Sequence, residues 1–274
     1  MERKRKVVLC ADDYGLSPGV SRGIRELLQM TRLSATSCMV IFPEFAQDGP
    51  LLSSFLDKAD IGLHFMLTAD KSLRSVLIAG WLHRLNADEM RRELERQLGI
   101  FTAVMKRPPA YIDGHQHVHL LPGVREAVVE AAARIGAYVR VTHEPITLAM
   151  LQRPAPIDSA YLSRVSKPLA RMAAERAVRT NSGFRGVRNF RERAPCRDLF
   201  RAMVAGAANG SIVMCHPGHA DEMLATRDPI HRQREDEFAY LASSEFIGDM
   251  EQAGLRLARL RDTVAQAPVV TSRG

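Results

Sequence analysis

The stretch KVVLCADDYGLSPG, residues 6–19, runs from an unbroken apolar segment through two adjacent carboxylates to a serine followed by proline. A short apolar run bounded by polar residues reads as a strand buried on both faces. Ser17 suits a helix N-cap and Pro18 the first helical position. Ile24, Leu27 and Leu28 then fall on one helical stripe. The segment therefore encodes a strand, a polar strand end and a helix.

The same unit recurs along the chain. Further strands are predicted at 35–41, 60–67, 110–115, 137–141, 211–215 and 255–260. Asn86 and Glu89 form a capping-box-like pair ahead of a helix striped with Met90, Leu94, Leu98, Phe101 and Met105. Another helix is predicted near 122–134, and Gly254 reads as a helix C-cap before the last strand. Strands alternating with helices mean parallel βαβ units and an α/β, (β/α) barrel-like fold. In such a barrel the C-terminal strand ends converge on one face, where active sites are built. Asp12, Asp13, His64, His115 and His216 all follow predicted strand ends. With no internal repeat or linker, residues 1–274 read as a single domain, with an irregular, Arg-rich elaboration at 142–200.

Composition narrows the function classes. A hydrophobic content of 46% is ample for a core, and 25% charged residues is ordinary for a globular chain. Cys10, Cys38, Cys196 and Cys215 form no C-x-x-C pair, and three of them sit in apolar runs, which points to a reduced, cytoplasmic setting. The basic start MERKRK is followed by too few apolar residues for a signal segment or a membrane span. The net charge of +7 invites anionic partners, and RGVRNFRERAPCR (185–197) could hold phosphate. No nucleic-acid motif accompanies it, and one Trp and five Tyr offer little for stacking, so no nucleic acid is expected.

The strand ends carry the chemistry. Burying Asp12 or Asp13 unpaired would be expensive, so a cation or hydrogen-bond donors should lie nearby. A lone His such as His64 in an apolar strand is ordinarily a satisfied core residue, and only the neighbouring sites raise its odds as a ligand. In YIDGHQHVHLLP (111–122), His115, His117 and His119 would share one side if the strand continued. Their steps of roughly 7 Å would keep all three from reaching one ion. His216 precedes Pro217-Gly218, which turns the chain away. One Asp with two His and open positions suits a hydrolase that activates water. A second carboxylate can take the water's proton, and a His across the site can give one to the leaving group. Neighbouring strand residues point to opposite faces, so a bend at Tyr14-Gly15 is expected to bring Asp12 and Asp13 together.

The segments ADDYGLSPGV, TSCMV, IGLHFMLT, YIDGHQHVHLLPGV, VRV and MCHPGHAD, in this order from residue 11 to 221, resemble the YdjC-like family of carbohydrate deacetylases. The resemblance implies a deacetylase-type barrel of fewer than eight strands, seven being expected, with one divalent metal ion, Zn or Mg. It implies removal of an N-acetyl group from an N-acetylhexosamine unit of an oligosaccharide or glycolipid. Hydrolysis of a different ester, amide or phosphoester bond is the alternative. Carried over by position, Asp13, His64 and His115 are the metal ligands and Asp12 the general base, with His216 as candidate acid. Arg140 would contact substrate or orient the base. Asp113, His117 and His119 would brace a ligand or face substrate, Asp113 by orienting an imidazole. A homodimer is what the family suggests, and peripheral membrane contact stays open. Tyr14 stands where the family usually has Phe and Gly114 where Ser is common, and 142–200 holds no family motif.

Overall fold

A computed structural model of the chain describes residues 4–67, 72–190 and 194–263. Its parallel strands are β1 (Arg5–Tyr14), β2 (Ala35–Cys38), β3 (Asp60–Phe65), β4 (Tyr111–Gly114), β5 (Tyr138–Val139), β6 (Gly183–Arg185), β7 (Ser211–Cys215) and β8 (Leu255–Leu257). Seven lie side by side in the order β5-β4-β3-β2-β1-β7-β6, and β8 pairs with the foot of β1. The sheet curls until its two edges meet. Val139 bridges Thr180, and Asn181 spans the seam: its Nδ2 donates to the carbonyls of Val141 and Gly183, each at 2.8 Å, while its Oδ1 accepts the Val141 amide. A side-chain amide thus replaces a ladder hydrogen bond where the strands have run out.

Period-two alternation sorts β1 between two cores. Val7, Leu9 and Ala11 pack outward with the helices, whereas Val8 and Cys10 join Tyr111, Tyr138, Phe184 and Ile212 inside the curl. The helix Pro18–Gln29 begins as its sequence requires, with the Ser17 hydroxyl accepting the Val20 amide, and it buries Ile24, Leu27 and Leu28. Asn86 caps the helix Ala87–Met105 by accepting the amides of Asp88 and Glu89. Gly254 takes φ +65° just beyond the helix Ser244–Gln252.

Several strands stop before their apolar runs do. Met39 and Val40 follow β2 and stay buried without pairing as a strand, because an apolar run marks burial and not a ladder. β5 is only Tyr138–Val139, so Arg140 lies just past its end. The stretch 142–200 is more regular than expected: it holds the helices Pro156–Val165 and Lys167–Glu175 and contributes β6 to the sheet. Three residues are too few for β6 to display an alternation. The basic cluster at 185–197 is also not a free phosphate site among its described residues. Arg185 pairs with Glu144, Arg188 with Glu237 and Arg197 with Asp249, at 2.8–2.9 Å, and residues 191–193 lie outside the described residues.

Inside the curl, the Tyr111 and Tyr138 rings stack 4.9 Å apart, and the Tyr111 ring lies directly on Gly62 of β3. A Cβ at Gly62 would fall 2.4–2.5 Å from that ring, which cannot retreat through its stacked partner. Gly62→Ala should therefore destabilise the fold by about 1–3 kcal/mol through overpacking. Urea unfolding with an unchanged slope and a lowered midpoint is the expected reading. A midpoint equal to wild type would show that the ring has room.

Candidate active site

Asp13 is the hinge of the site. By alternation Asp12 continues the inward series of Val8 and Cys10, which would send Asp13 outward into the helix layer. Instead Asp13 adopts φ +71°, and the β1–β2 register shifts between Ala11 and Tyr14. The left-handed region is uncommon for residues other than glycine, but aspartate tolerates it better than most. The bend thus comes one residue earlier than expected, at Asp13 itself, and Gly15 at φ +93° completes it. Both carboxylates line a cavity of about 450 Å³ at the C-terminal strand ends.

Asp13, His64 and His115 gather there with their ligand atoms all within 4.8 Å of one another. Asp13 Oδ1 lies 3.3 Å from His64 Nε2 and 3.2 Å from His115 Nδ1. Neighbouring ligands of a tetrahedral ion with bonds near 2 Å are separated by roughly 3.3 Å, so the donor set fits a divalent cation in chemistry and in spacing. His64 is braced from behind, its Nδ1 standing 2.6 Å from Asp113 Oδ1, which also accepts from Ser37 Oγ at 2.5 Å. A proton on Nδ1 leaves the Nε2 lone pair for a metal. Burial disfavours imidazolium at His64, but Asp113 and Asp12 outweigh it and push the pKa up to about 10. Burial also opposes ionisation of Asp13, yet Arg234, His115 and His64 hold its carboxyl well below the usual range.

Two buried arginines hold the carboxylates. Arg140 grips Asp12 with both terminal nitrogens, at 2.7 and 2.9 Å, and reaches Asp113 Oδ2 at 3.1 Å. It has no solvent exposure and does not line the cavity, so what it touches there is the pair of carboxylates. Arg234 donates to Asp13 Oδ2 at 2.6 Å and to Asp228 Oδ2 at 2.5 Å. Sequence reasoning missed Arg234, since it sits in the first turn of the polar helix Arg232–Ala242 and looks like one more solvated charge. The signal that could have prompted a search was the pair of carboxylates, which demanded more than one cation.

The histidine triplet does not line up. β4 ends at Gly114, and Gln116 and His117 both turn left-handed, at φ 52° and 60°, which separates the three rings. His115 alone reaches Asp13. His117 lines the cavity edge-on to Phe184, and burial with Arg140 nearby keeps it well below its ordinary pKa. His119 is fully buried, its Nε2 3.0 Å from the Arg140 carbonyl, and burial followed by Arg140 lowers it to about 4. His119 therefore packs against the Arg140 backbone, away from the cavity lining. A Cβ at Gly114 would lie 2.9 Å from the His119 amide nitrogen, which explains glycine here in place of serine.

His216 enters the cavity from the end of β7, its ring edge-on to Phe190 and its amide donating to Glu237 at 2.5 Å. Burial pulls its pKa down, against the opposing charges of Asp13, Asp12 and Glu237.

The family model for YdjC-like protein matches residues 6–252. The chain belongs to the YdjC-like family. Among its relatives, the chitooligosaccharide deacetylase of Yersinia enterocolitica is 27% identical over 273 residues, covering 94% of this chain and 99% of the relative. The enzyme of the same name from Yersinia pestis (strain Pestoides F) matches at the same identity and coverage. Among solved structures, a candidate cellobiose-phosphate cleavage protein of Enterococcus faecalis V583 superposes with a TM-score of 0.71 at 20% identity, over 96% of this chain and all of that one. The Xyl-CE4 domain of a xylanase from a Trinervitermes trinervoides hindgut metagenome gives 0.50 at 8% identity, over 95% and 89%. At these identities the two structures speak to the fold of this YdjC-like protein.

A cation entering the Asp13 cluster must expel the proton that His64 holds up to a pKa of about 10. Between about pH 7 and about pH 9, Zn²⁺ affinity of the metal-free protein should therefore rise about tenfold per pH unit, with about one proton released. Calorimetric titration in buffers of different ionisation enthalpy reads both quantities. An affinity flat across that window would mean that His64 is neutral before metal arrives.

Arg234→Met should lower stability by about 3–5 kcal/mol, because it strands two carboxylates that now share one guanidinium. Denaturant unfolding of the metal-free variant checks this, and a wild-type midpoint would contradict it.

Proposed function

We propose that this YdjC-like protein is a metal-dependent carbohydrate deacetylase that hydrolyses the acetamide of an N-acetylhexosamine unit in an oligosaccharide or glycolipid. The observation that carries the reading is a ligand set of Asp13, His64 and His115 beside a second carboxylate, Asp12, fixed by two hydrogen bonds from Arg140. The deacetylase names of the Yersinia relatives, matched over nearly the full length of both chains, support the bond type.

A divalent cation held by Asp13, His64 and His115 would polarise the acetamide carbonyl and make water easier to deprotonate. Two imidazole nitrogens with one carboxylate favour Zn²⁺ over Mg²⁺. Asp12 has its Oδ2 3.9 Å from His64 Nε2, beside the cluster but not part of it, where it can accept the proton of the attacking water. Arg140 fixes the direction of that carboxylate. His216 starts neutral, so it serves the leaving nitrogen after gaining a proton during turnover. The Glu237 carboxylate on its amide favours that imidazolium. His117, also neutral, offers the substrate a hydrogen-bonding edge without adding charge.

Acetate release from N-acetylglucosamine oligomers and N-acetylated glycolipids, with added Zn²⁺ or Mg²⁺, is the deciding assay. Asp12→Asn should lower kcat by about 10²–10⁴-fold while metal content stays at wild-type level. His64→Ala should lose the metal itself. An inert, fully metal-loaded protein across a broad panel of N-acetylated glycans would sink the reading.

A further inference from the structure

The outer side of the cavity wall carries an apolar surface that the hydrolytic chemistry does not use. Ile146, Leu148, Leu151 and Ile157 are 61%, 84%, 67% and 82% exposed, although single exposed side chains of this size are usually scattered. These are not scattered. Leu148 and Leu151 sit on the turn Leu148–Gln152, packed on the helix Pro156–Val165 that carries Ile157 and Tyr161. Tyr161 meets Trp81 edge to face at 6.5 Å, which joins this helix to Leu73–Trp81.

Both helices follow one pattern. Ile157, Tyr161 and Arg164 lie at i, i+4 and i+7 on one, and Arg74, Ile78 and Trp81 at the same spacing on the other. Each spacing marks a single helical stripe, and all six residues are exposed. Each helix therefore offers two large apolar groups with one arginine to solvent. Residues 72–85 and 143–175 together hold six Lys and Arg against three acidic residues, an excess of three out of the chain's net +7. One of those acids, Glu144, is buried and already taken by Arg153 and Arg185.

We propose that this face seats the protein on an anionic lipid bilayer. Apolar side chains beside arginine are what an interfacial helix inserts between lipid head groups, with the guanidinium left at the phosphate level. A second copy of the same face would bring like charges together, whereas an anionic bilayer neutralises them. The contact lies on the membrane and does not cross it: among the described residues no helix is long and apolar enough to span. The same helix, Pro156–Val165, lines the cavity through Asp158 and Leu162, so seating this face brings the cavity mouth to the head groups.

Vesicle co-sedimentation tests the proposal without any turnover, so it stands or falls apart from the hydrolytic reading. Wild-type protein should bind vesicles containing a third phosphatidylglycerol at least about tenfold more tightly than pure phosphatidylcholine. Leu148→Glu with Ile157→Glu should cut that binding by about tenfold or more. Both positions are almost fully exposed, so circular dichroism and melting should not change. Wild-type protein left in the supernatant by the anionic vesicles would overturn the proposal. So would a dimer in lipid-free buffer that the double variant splits into monomers, which would make this face a self-association surface.

Discussion

Two arginines with almost no solvent contact, Arg140 and Arg234, decide what the site can hold. Between them they face Asp12, Asp113, Asp13 and Asp228, four carboxylates against two guanidinium groups. Two negative charges are left over among largely buried side chains, where uncompensated charge is costly. A proton on His64 covers one of them, which is why that imidazole is so strongly basic. A divalent cation on Asp13, His64 and His115 would cover both. A dication there would thus be drawn by the surrounding charge as much as by the three ligand atoms.

The arginines also separate two neighbouring carboxylates into different environments. Asp12 receives two hydrogen bonds from Arg140 on the inside of the curl. Asp13 receives Arg234 from the helix side and turns its other oxygen to the histidines. Adjacent residues in an ordinary strand could not share a cavity, so the bulge in β1 is what lets one carboxylate turn to the histidines while the other is held by Arg140.

Much of this was legible before any coordinates. The strand-end positions of Asp12, Asp13, His64, His115 and His216 followed from apolar runs that end in polar residues, and those residues do converge on one cavity. Helix starts at Ser17 and Asn86 were equally readable, because capping uses particular side chains. What escaped has physical reasons. The left-handed turns at Asp13, Gln116 and His117 leave no periodic trace, so the sequence suggested a bend one residue late and a histidine row that does not exist. β6 is too brief to alternate, and the seam it helps close depends on the single side chain of Asn181. Arg234 was hidden by its helix, whose other charges look like solvent-facing ones.

The backbone of Asp13 has a consequence for how this centre can vary. Position 13 selects at once for a short polar side chain that accepts φ +71° and for a negative oxygen aimed at two imidazoles. Glutamate supplies the charge but fits the conformation poorly, glycine the conformation without the oxygen, and asparagine the shape with a neutral oxygen. Aspartate alone meets both demands. Conformation and chemistry are therefore written into one codon, and a lineage cannot relax either one there without disturbing the other.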